Sequence, residues 1–236
     1  MIKSVLNRYK SFPIQVKASL WFLICSFLQK GISTVTTPIF TRIMNTTEYG
    51  QYNVFNSWLS IASIFVSLSL TGGVYAQGLV KFEKDRNVFT SSLQGLTLLL
   101  VAVWMVIYFI FHDFWNQLFT LSSVQMIAML VIIWTTAVFS FWSTEQRVNY
   151  KYKALVAITL VVSLAKPIVG IFCVSVTNDK VSARILGIAL VELIGYAWLF
   201  FIQVKRGEVL FSKKYWVYAL SFNLPLVPHY LSQTVL

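Results

Sequence analysis

The sequence predicts an all-α polytopic membrane protein with six transmembrane helices and part of a seventh. Three observations carry this. The 236-residue chain is 57% hydrophobic and only 11% charged, whereas a soluble domain carries about a quarter charged residues. Six apolar segments are each long enough to cross roughly 30 Å of hydrocarbon at about 1.5 Å per helical residue. The basic residues gather at alternate connections between those segments.

The first segment, 18–43, follows a basic arm, 1–17, holding Lys3, Arg8, Lys10 and Lys17. It is longer than the apolar stretch of a signal peptide, and no small-x-small cleavage site ends it, so it is expected to remain as an anchor. The link at 44–48 is short enough to force an antiparallel hairpin with the second segment, 49–79. Within that link Asn45 or Thr46 is expected to cap the next helix, with Glu48 favouring its positive end. Segments three, 88–111, and four, 123–143, are the most uniformly apolar and are expected to face lipid. The fifth, 154–176, and sixth, 185–204, complete a six-helix lobe over 18–204. A basic loop, 205–214, leads to a seventh segment, 215–236, expected to open a second lobe. That segment ends on apolar residues without a polar flank, so the chain is expected to be incomplete or truncated.

The basic residues give an orientation. Lys3, Arg8, Lys10, Lys17, Lys81, Lys84, Arg86, Arg147, Lys151, Lys153, Lys205, Arg206, Lys213 and Lys214 fall on one side of the ladder, against Arg42, Lys180 and Arg184 on the other. This asymmetry places the N-terminus and basic loops in the cytoplasm. It also accounts for the net charge of +11 without nucleic acid, since the cations cluster at segment ends where anionic lipid headgroups lie. Trp21, Trp58, Trp115, Trp142 and Trp216, with Tyr49, Tyr52, Tyr150 and Tyr152, are expected at the membrane–water boundaries. Cys25 and Cys173 lie within apolar segments and read as packing residues rather than a disulfide or metal pair.

Polar residues inside the segments are organised. Ser26, Lys30, Thr34, Thr37 and Thr41 share one helical face; so do Asn56, Ser60, Ser63 and Ser67; so do Thr159, Ser163, Lys166 and Gly170. Glu192 sits near the centre of the sixth segment. Hydroxyl stripes suit close helix packing. Ionisable residues at mid-bilayer cost roughly 2.5–3.5 kcal/mol on insertion scales and usually face a bundle interior or a wet cavity. Two readings of Lys30, Lys166 and Glu192 stand open. One is a structural ion pair, with one lysine answering Glu192 and the other snorkelling. The other is a net-positive cavity that suits a phosphate or carboxylate. Pro38, Pro167, Pro225 and Pro228 are expected to loosen their helices, Pro167 by freeing the carbonyl of Ser163.

Two stretches carry a family resemblance. Pro38-Ile39-Phe40-Thr41-Arg42-Ile43-Met44, continuing through Glu48-Tyr49-Gly50-Gln51-Tyr52, resembles the first hairpin of bacterial polysaccharide flippases of the Wzx type. Asn223-Leu224-Pro225-Leu226-Val227-Pro228-His229 resembles their seventh helix. These flippases belong to the multidrug/oligosaccharidyl-lipid/polysaccharide exporter superfamily. The resemblance implies a first lobe of a two-lobe transporter that passes an undecaprenyl-diphosphate-linked oligosaccharide across the bacterial cytoplasmic membrane for O-antigen or capsule synthesis. Pro38, Arg42, Glu48, Gly50, Pro225, Pro228 and His229 match family positions, and Arg42 joins Lys30 and Lys166 as an expected cationic contact. Glu192 is expected to pair with a lysine or exchange a coupling cation. The implied partners are the lipid-linked oligosaccharide, the bilayer and other polysaccharide-assembly membrane proteins, with no cofactor.

Two alternatives compete with this reading, one from the same superfamily and one from another class. A multidrug or cation antiporter of the same superfamily would use acidic residues, and one intramembrane Glu against two Lys disfavours it. A glycan polymerase or ligase would need large outer loops bearing acid–base residues. Here those loops are tiny, and His112-Asp113 is explained by an interfacial helix end. His229 stands alone, and no phosphate loop, nucleophile elbow or zinc spacing appears, so enzymatic activity is not expected.

Overall fold

The computed structural model describes residues 12–235. The arm residues Lys3, Arg8 and Lys10 lie outside them. In order, the helices are α1 (Ile14–Ile43), α2 (Thr46–Ser67), α3 (Gly73–Lys81), α4 (Arg86–Ile110), α5 (His112–Phe119), α6 (Ser123–Val148), α7 (Tyr152–Val176), α8 (Lys180–Gly207), α9 (Lys213–Asn223) and α10 (Val227–Val235). No strand occurs among the described residues.

Local sequence sets the helix starts. Asn45 caps α2 in a reciprocal box: its side-chain oxygen accepts from Glu48 N at 2.8 Å, and the Glu48 carboxylate accepts from Asn45 N at 2.7 Å. Ser122 and Gln125 make the same box at α6, and Asp179 caps α8 by accepting from Ser182 N at 3.0 Å. Lys180 Nζ then donates to Ile43 O at 2.8 Å and lies 3.8 Å from Glu48, tying the first hairpin to the start of α8. Three starts are thereby held at one end of the bundle by side chains alone.

Among the described residues, five helices are long and apolar enough to cross a membrane: α1, α4 with its preceding turn, α6, α7 and α8. The polar residues of α2, among them Asn53, Asn56, Ser57, Ser60 and Ser63, keep its 22 residues out of that set. The second apolar segment is also not one helix. Leu68 and Ser69 both take left-handed conformations, φ 48° and 50°, and break it between α2 and α3. The Asn223 side chain donates to Leu68 O at 2.9 Å, so the seventh segment braces the break. That segment is itself interrupted by a tight turn, Leu224–Leu226, with Pro225 in it and Pro228 at the start of α10. By contrast, α1 and α7 run on through Pro38 and Pro167.

α8 is the hub, packing along α7, α6 and α4, while α6 also meets α4, α2 and α3. α1 lies mainly on α7. This reverses one expectation. The fourth segment is the most enclosed, with 56% of its most apolar stretch buried, and the first is the least, at 11%. The reason is that lipid tails are as apolar as leucine, so apolarity does not decide which helix is central; close packing and polar contacts do. Trp58 packs against the core and Trp142 is buried in α6.

Candidate functional site

Three central helices meet at one carboxylate. Glu192, halfway along α8 and 4% exposed, accepts a charge-assisted hydrogen bond from Lys166 Nζ of α7 at 2.6 Å. Its other oxygen accepts from Thr135 Oγ1 at 2.9 Å and Thr136 Oγ1 at 3.1 Å, both on α6. A buried carboxylate needs such partners to offset its desolvation. The lysine is a third exposed, because its stem crosses from the pair to a polar cavity beyond.

That cavity, of about 270 Å³, lies between α1, α2, α7 and α8. Lys166 and Ser163 form one wall, Gln29, Ser33 and Thr36 of α1 another, and Arg184 of α8 a third. Gln29 Nε2 donates to Ser163 Oγ at 3.1 Å across the cavity. Arg184 is 8% exposed, and its guanidinium is clamped between Phe40 at 3.7 Å and Tyr52 at 3.6 Å, with Tyr49 at 5.5 Å. Such stacking holds a weakly hydrated planar cation where an ammonium would need water. Arg184 Nη1 approaches Met44 Sδ at 3.7 Å, and Nε, buried, has no partner. Two cations and one carboxylate leave this region with one net positive charge. Hydroxyl and amide groups surround it, a chemistry that receives an oxyanion.

The structure brings together Lys166 and Glu192 but not the other expected cations. Lys30 is exposed and is not among the residues of this cavity, to which α1 contributes the adjacent face of Gln29, Ser33 and Thr36. Arg42, in the last turn of α1, is exposed and likewise outside it. Glu48 serves as the α2 cap, and Gly50 has open space beside it. His229 is exposed on α10, its Nε2 3.2 Å from Gln233 Nε2. Cys25 and Cys173 are free thiols.

Arg184 was missed, having been assigned to the connection before the sixth segment, whereas α8 begins at Lys180. The missing signal was the aromatic spacing of Phe40, Tyr49 and Tyr52 in the first hairpin, which makes a box for a cation. A second polar cluster was also hidden. Arg206 makes a two-pronged pair with Glu145 at 2.8 Å for both contacts, Gln203 adds a bond to Glu145 at 3.0 Å, and Gln94 donates to Gln203 at 2.6 Å. It joins α4, α6 and α8 at the basic end of the bundle. His112 and Asp113, 3.1 Å apart, are exposed in the first turn of the short helix α5.

Comparison with curated proteins and with solved structures finds no match. A family of polysaccharide biosynthesis proteins does match, over residues 16–236. With apolar spanning helices built around a buried ion pair, and that match along nearly its whole length, this multi-pass membrane chain belongs to the polysaccharide biosynthesis protein family.

Proposed function

We propose that the chain provides the first lobe of a flippase that carries an undecaprenyl-diphosphate-linked oligosaccharide across the bacterial cytoplasmic membrane during O-antigen or capsule synthesis. In this reading α2 and α3 together make the second of six crossings, and the N-terminus is cytoplasmic. The placement of Lys166 and Arg184 on one polar cavity carries the proposal. A diphosphate entering the cavity exchanges hydration for an ammonium and a guanidinium, with Gln29, Ser33, Thr36 and Ser163 as further donors. The polyprenyl tail stays in the bilayer while the glycan passes, and the two lobes rock around the bound headgroup.

Glu192 tunes this site. It holds the ammonium at 2.6 Å, so an arriving anion competes with an internal carboxylate for the same cation. Binding is thereby weakened enough to permit release. A cation antiporter would instead need a carboxylate free to meet its substrate, and Glu192 is already engaged by Lys166, Thr135 and Thr136. The same engagement of Glu192 disfavours its use as an acid or base in a hydrolytic or glycosyl-transfer reaction. The other polysaccharide-assembly proteins of the membrane are its expected neighbours.

The test uses the protein in its native host. Lys166→Gln with Glu192→Gln removes the pair while keeping its volume, and Arg184→Gln removes the clamped cation. Combined, they are expected to lower surface polysaccharide at equal protein level by about tenfold or more, as loss of two charge-assisted contacts implies. An unchanged amount overturns the cationic-cavity reading.

A further inference from the structure

A second polar chamber, of about 420 Å³, shares no residue with the cationic one. Hydroxyls wall it from three elements: Ser60 and Ser63 of α2, Thr136 and Ser140 of α6, and Tyr230 of α10. Ser60 and Thr136 are exposed there. Ile132 and Ile133 add an apolar floor, and no Asp, Glu, Lys, Arg or His is among the described residues that line it. The two chambers are neighbours along α2. Tyr52 borders the cationic one and Ser60 the second, with Asn56 one turn from each, so they are roughly 12 Å apart on that helix. On the other wall a single carboxylate lies between them: Glu192 accepts from Lys166 at 2.6 Å and from Thr136 at 3.1 Å.

Hydrogen bonding runs in opposite directions in the two chambers. The ammonium of Lys166 and the guanidinium of Arg184 can only donate. In the second chamber the hydrogens are committed elsewhere. Ser60 Oγ donates to Asn56 O at 3.0 Å, Ser63 Oγ to Ser60 O at 2.7 Å and Ser67 Oγ to Ser63 O at 2.7 Å. Thr136 Oγ1 gives its hydrogen to Glu192. Each of these four oxygens keeps lone pairs for an incoming donor, while Ser140 and Tyr230 carry hydroxyls able to act either way. An ionised phosphate offers acceptors only, so it suits the first chamber and not the second. The second suits an uncharged group with several O–H donors and apolar C–H faces, its donors on the serine oxygens and its faces on Ile132, Ile133 and the Tyr230 ring.

We infer that the serine-walled chamber is a subsite for an uncharged sugar joined to the diphosphate. This rests on the flippase reading above and adds the chemistry of the cargo: the sugar next to the diphosphate is neutral. A diphosphate with its first sugar has the reach to occupy both chambers. A carboxylated sugar here would set a second anion against oxygens that present lone pairs, with the Lys166 ammonium already engaged by Glu192.

The test uses the whole chain purified in detergent and four probes: farnesyl diphosphate, and the same diphosphate carrying glucose, N-acetylglucosamine or glucuronic acid. Calorimetric titration gives each affinity. At least one neutral-sugar probe is expected to bind about tenfold tighter than bare farnesyl diphosphate, and the glucuronic acid probe no tighter than the bare one. Ser60→Ala, Ser63→Ala and Ser140→Ala together leave the Lys166–Glu192 pair untouched. They are expected to abolish the sugar gain while bare farnesyl diphosphate binds as before. Lys166→Gln with Arg184→Gln is expected to weaken all four probes. A gain absent from both neutral probes, equalled by glucuronic acid, or kept by the serine variant overturns the subsite and leaves the cationic-cavity reading standing. Bare farnesyl diphosphate that does not bind, or binds regardless of Lys166 and Arg184, overturns that reading and the subsite with it. A rise in unfolding temperature in sodium over choline chloride that the serine variant abolishes assigns the chamber to a cation and overturns the sugar.

Discussion

Removing either member of the central pair has unequal consequences, because Lys166 is a third exposed and Glu192 is 5% exposed at the side chain. Lys166→Ala strands a buried carboxylate, whereas Glu192→Ala leaves an ammonium that can turn into the cavity. Lys166→Ala is therefore expected to cost about 3 kcal/mol or more of stability, and Glu192→Ala clearly less. Thermal unfolding of the detergent-purified protein measures the difference, and equal losses would contradict this asymmetry. Lys166→Leu with Glu192→Leu is expected to restore the unfolding temperature but not polysaccharide export, separating the pair's structural and functional shares. For Arg184 the conservative change is informative: Arg184→Lys keeps the charge but loses the planar stack on Phe40 and Tyr52. It is expected to lower surface polysaccharide about tenfold at unchanged protein level. The pair was legible in the sequence, because ionisable residues amid apolar ones stand out. Arg184 was not, because an arginine at a segment end looks the same whether it enters water or folds back among aromatic rings. Lys30 lies apart from the cationic cavity because a shared helical face says which residues are neighbours, not which way the face points.

Among the elements, the joints are more informative than the spans. The break after α2 rests on two consecutive left-handed residues that are not glycine, Leu68 and Ser69. Ser69→Gly relieves the steric cost at φ 50° and is expected to raise stability by about 0.5–1 kcal/mol, read as a higher unfolding temperature. A decrease would mean that the Ser69 side chain contributes more than its backbone strain costs. The opposite case is Gly207, where α8 approaches α4 so closely that a Cβ would lie 2.2 Å from Asn87 O and 2.1 Å from Ser91 Oγ. Because one of those atoms is backbone, Gly207→Ala is expected to lower stability by about 1–3 kcal/mol, seen as reduced yield of monodisperse protein. Capping was readable from Asn45 and Glu48, since the donors and acceptors are local. The break in the second segment was not, although Gly72 and Gly73 follow it directly, because glycines are also common inside membrane helices and the run stays apolar on both sides. The brace supplied by Asn223 comes from 155 positions away.

For the molecule as a whole, the distribution of charge and the distribution of burial follow different rules. Basic residues collect at one end, and the proposed orientation predicts opposite labelling of two exposed positions. Lys84→Cys, beside the turn before α4, is expected to resist a membrane-impermeant maleimide in intact cells. Gln117→Cys, on α5, is expected to react, both in a background with Cys25 and Cys173 replaced by Ala. The reverse pattern would invert the topology. Length and hydropathy made the helical architecture legible, because backbone satisfaction in lipid leaves few alternatives. The arrangement of the helices was not legible. In water the most apolar helix goes to the centre. In a bilayer nothing enforces that, and the fourth segment became central through Thr135, Thr136, Gln125 and Glu145, which bond to the hub helix.

Thr136 has a double position. It donates to Glu192 and also borders the serine-walled chamber of about 420 Å³ that reaches Tyr230 of the seventh segment. Lys166, on the far side of the same carboxylate, borders the cationic chamber. A chain of three side chains, Thr136, Glu192 and Lys166, thus links two polar chambers. Without the ammonium the carboxylate would be held by the threonines alone, so the chamber that meets Tyr230 and the cavity of Lys166 and Arg184 share one charge between them.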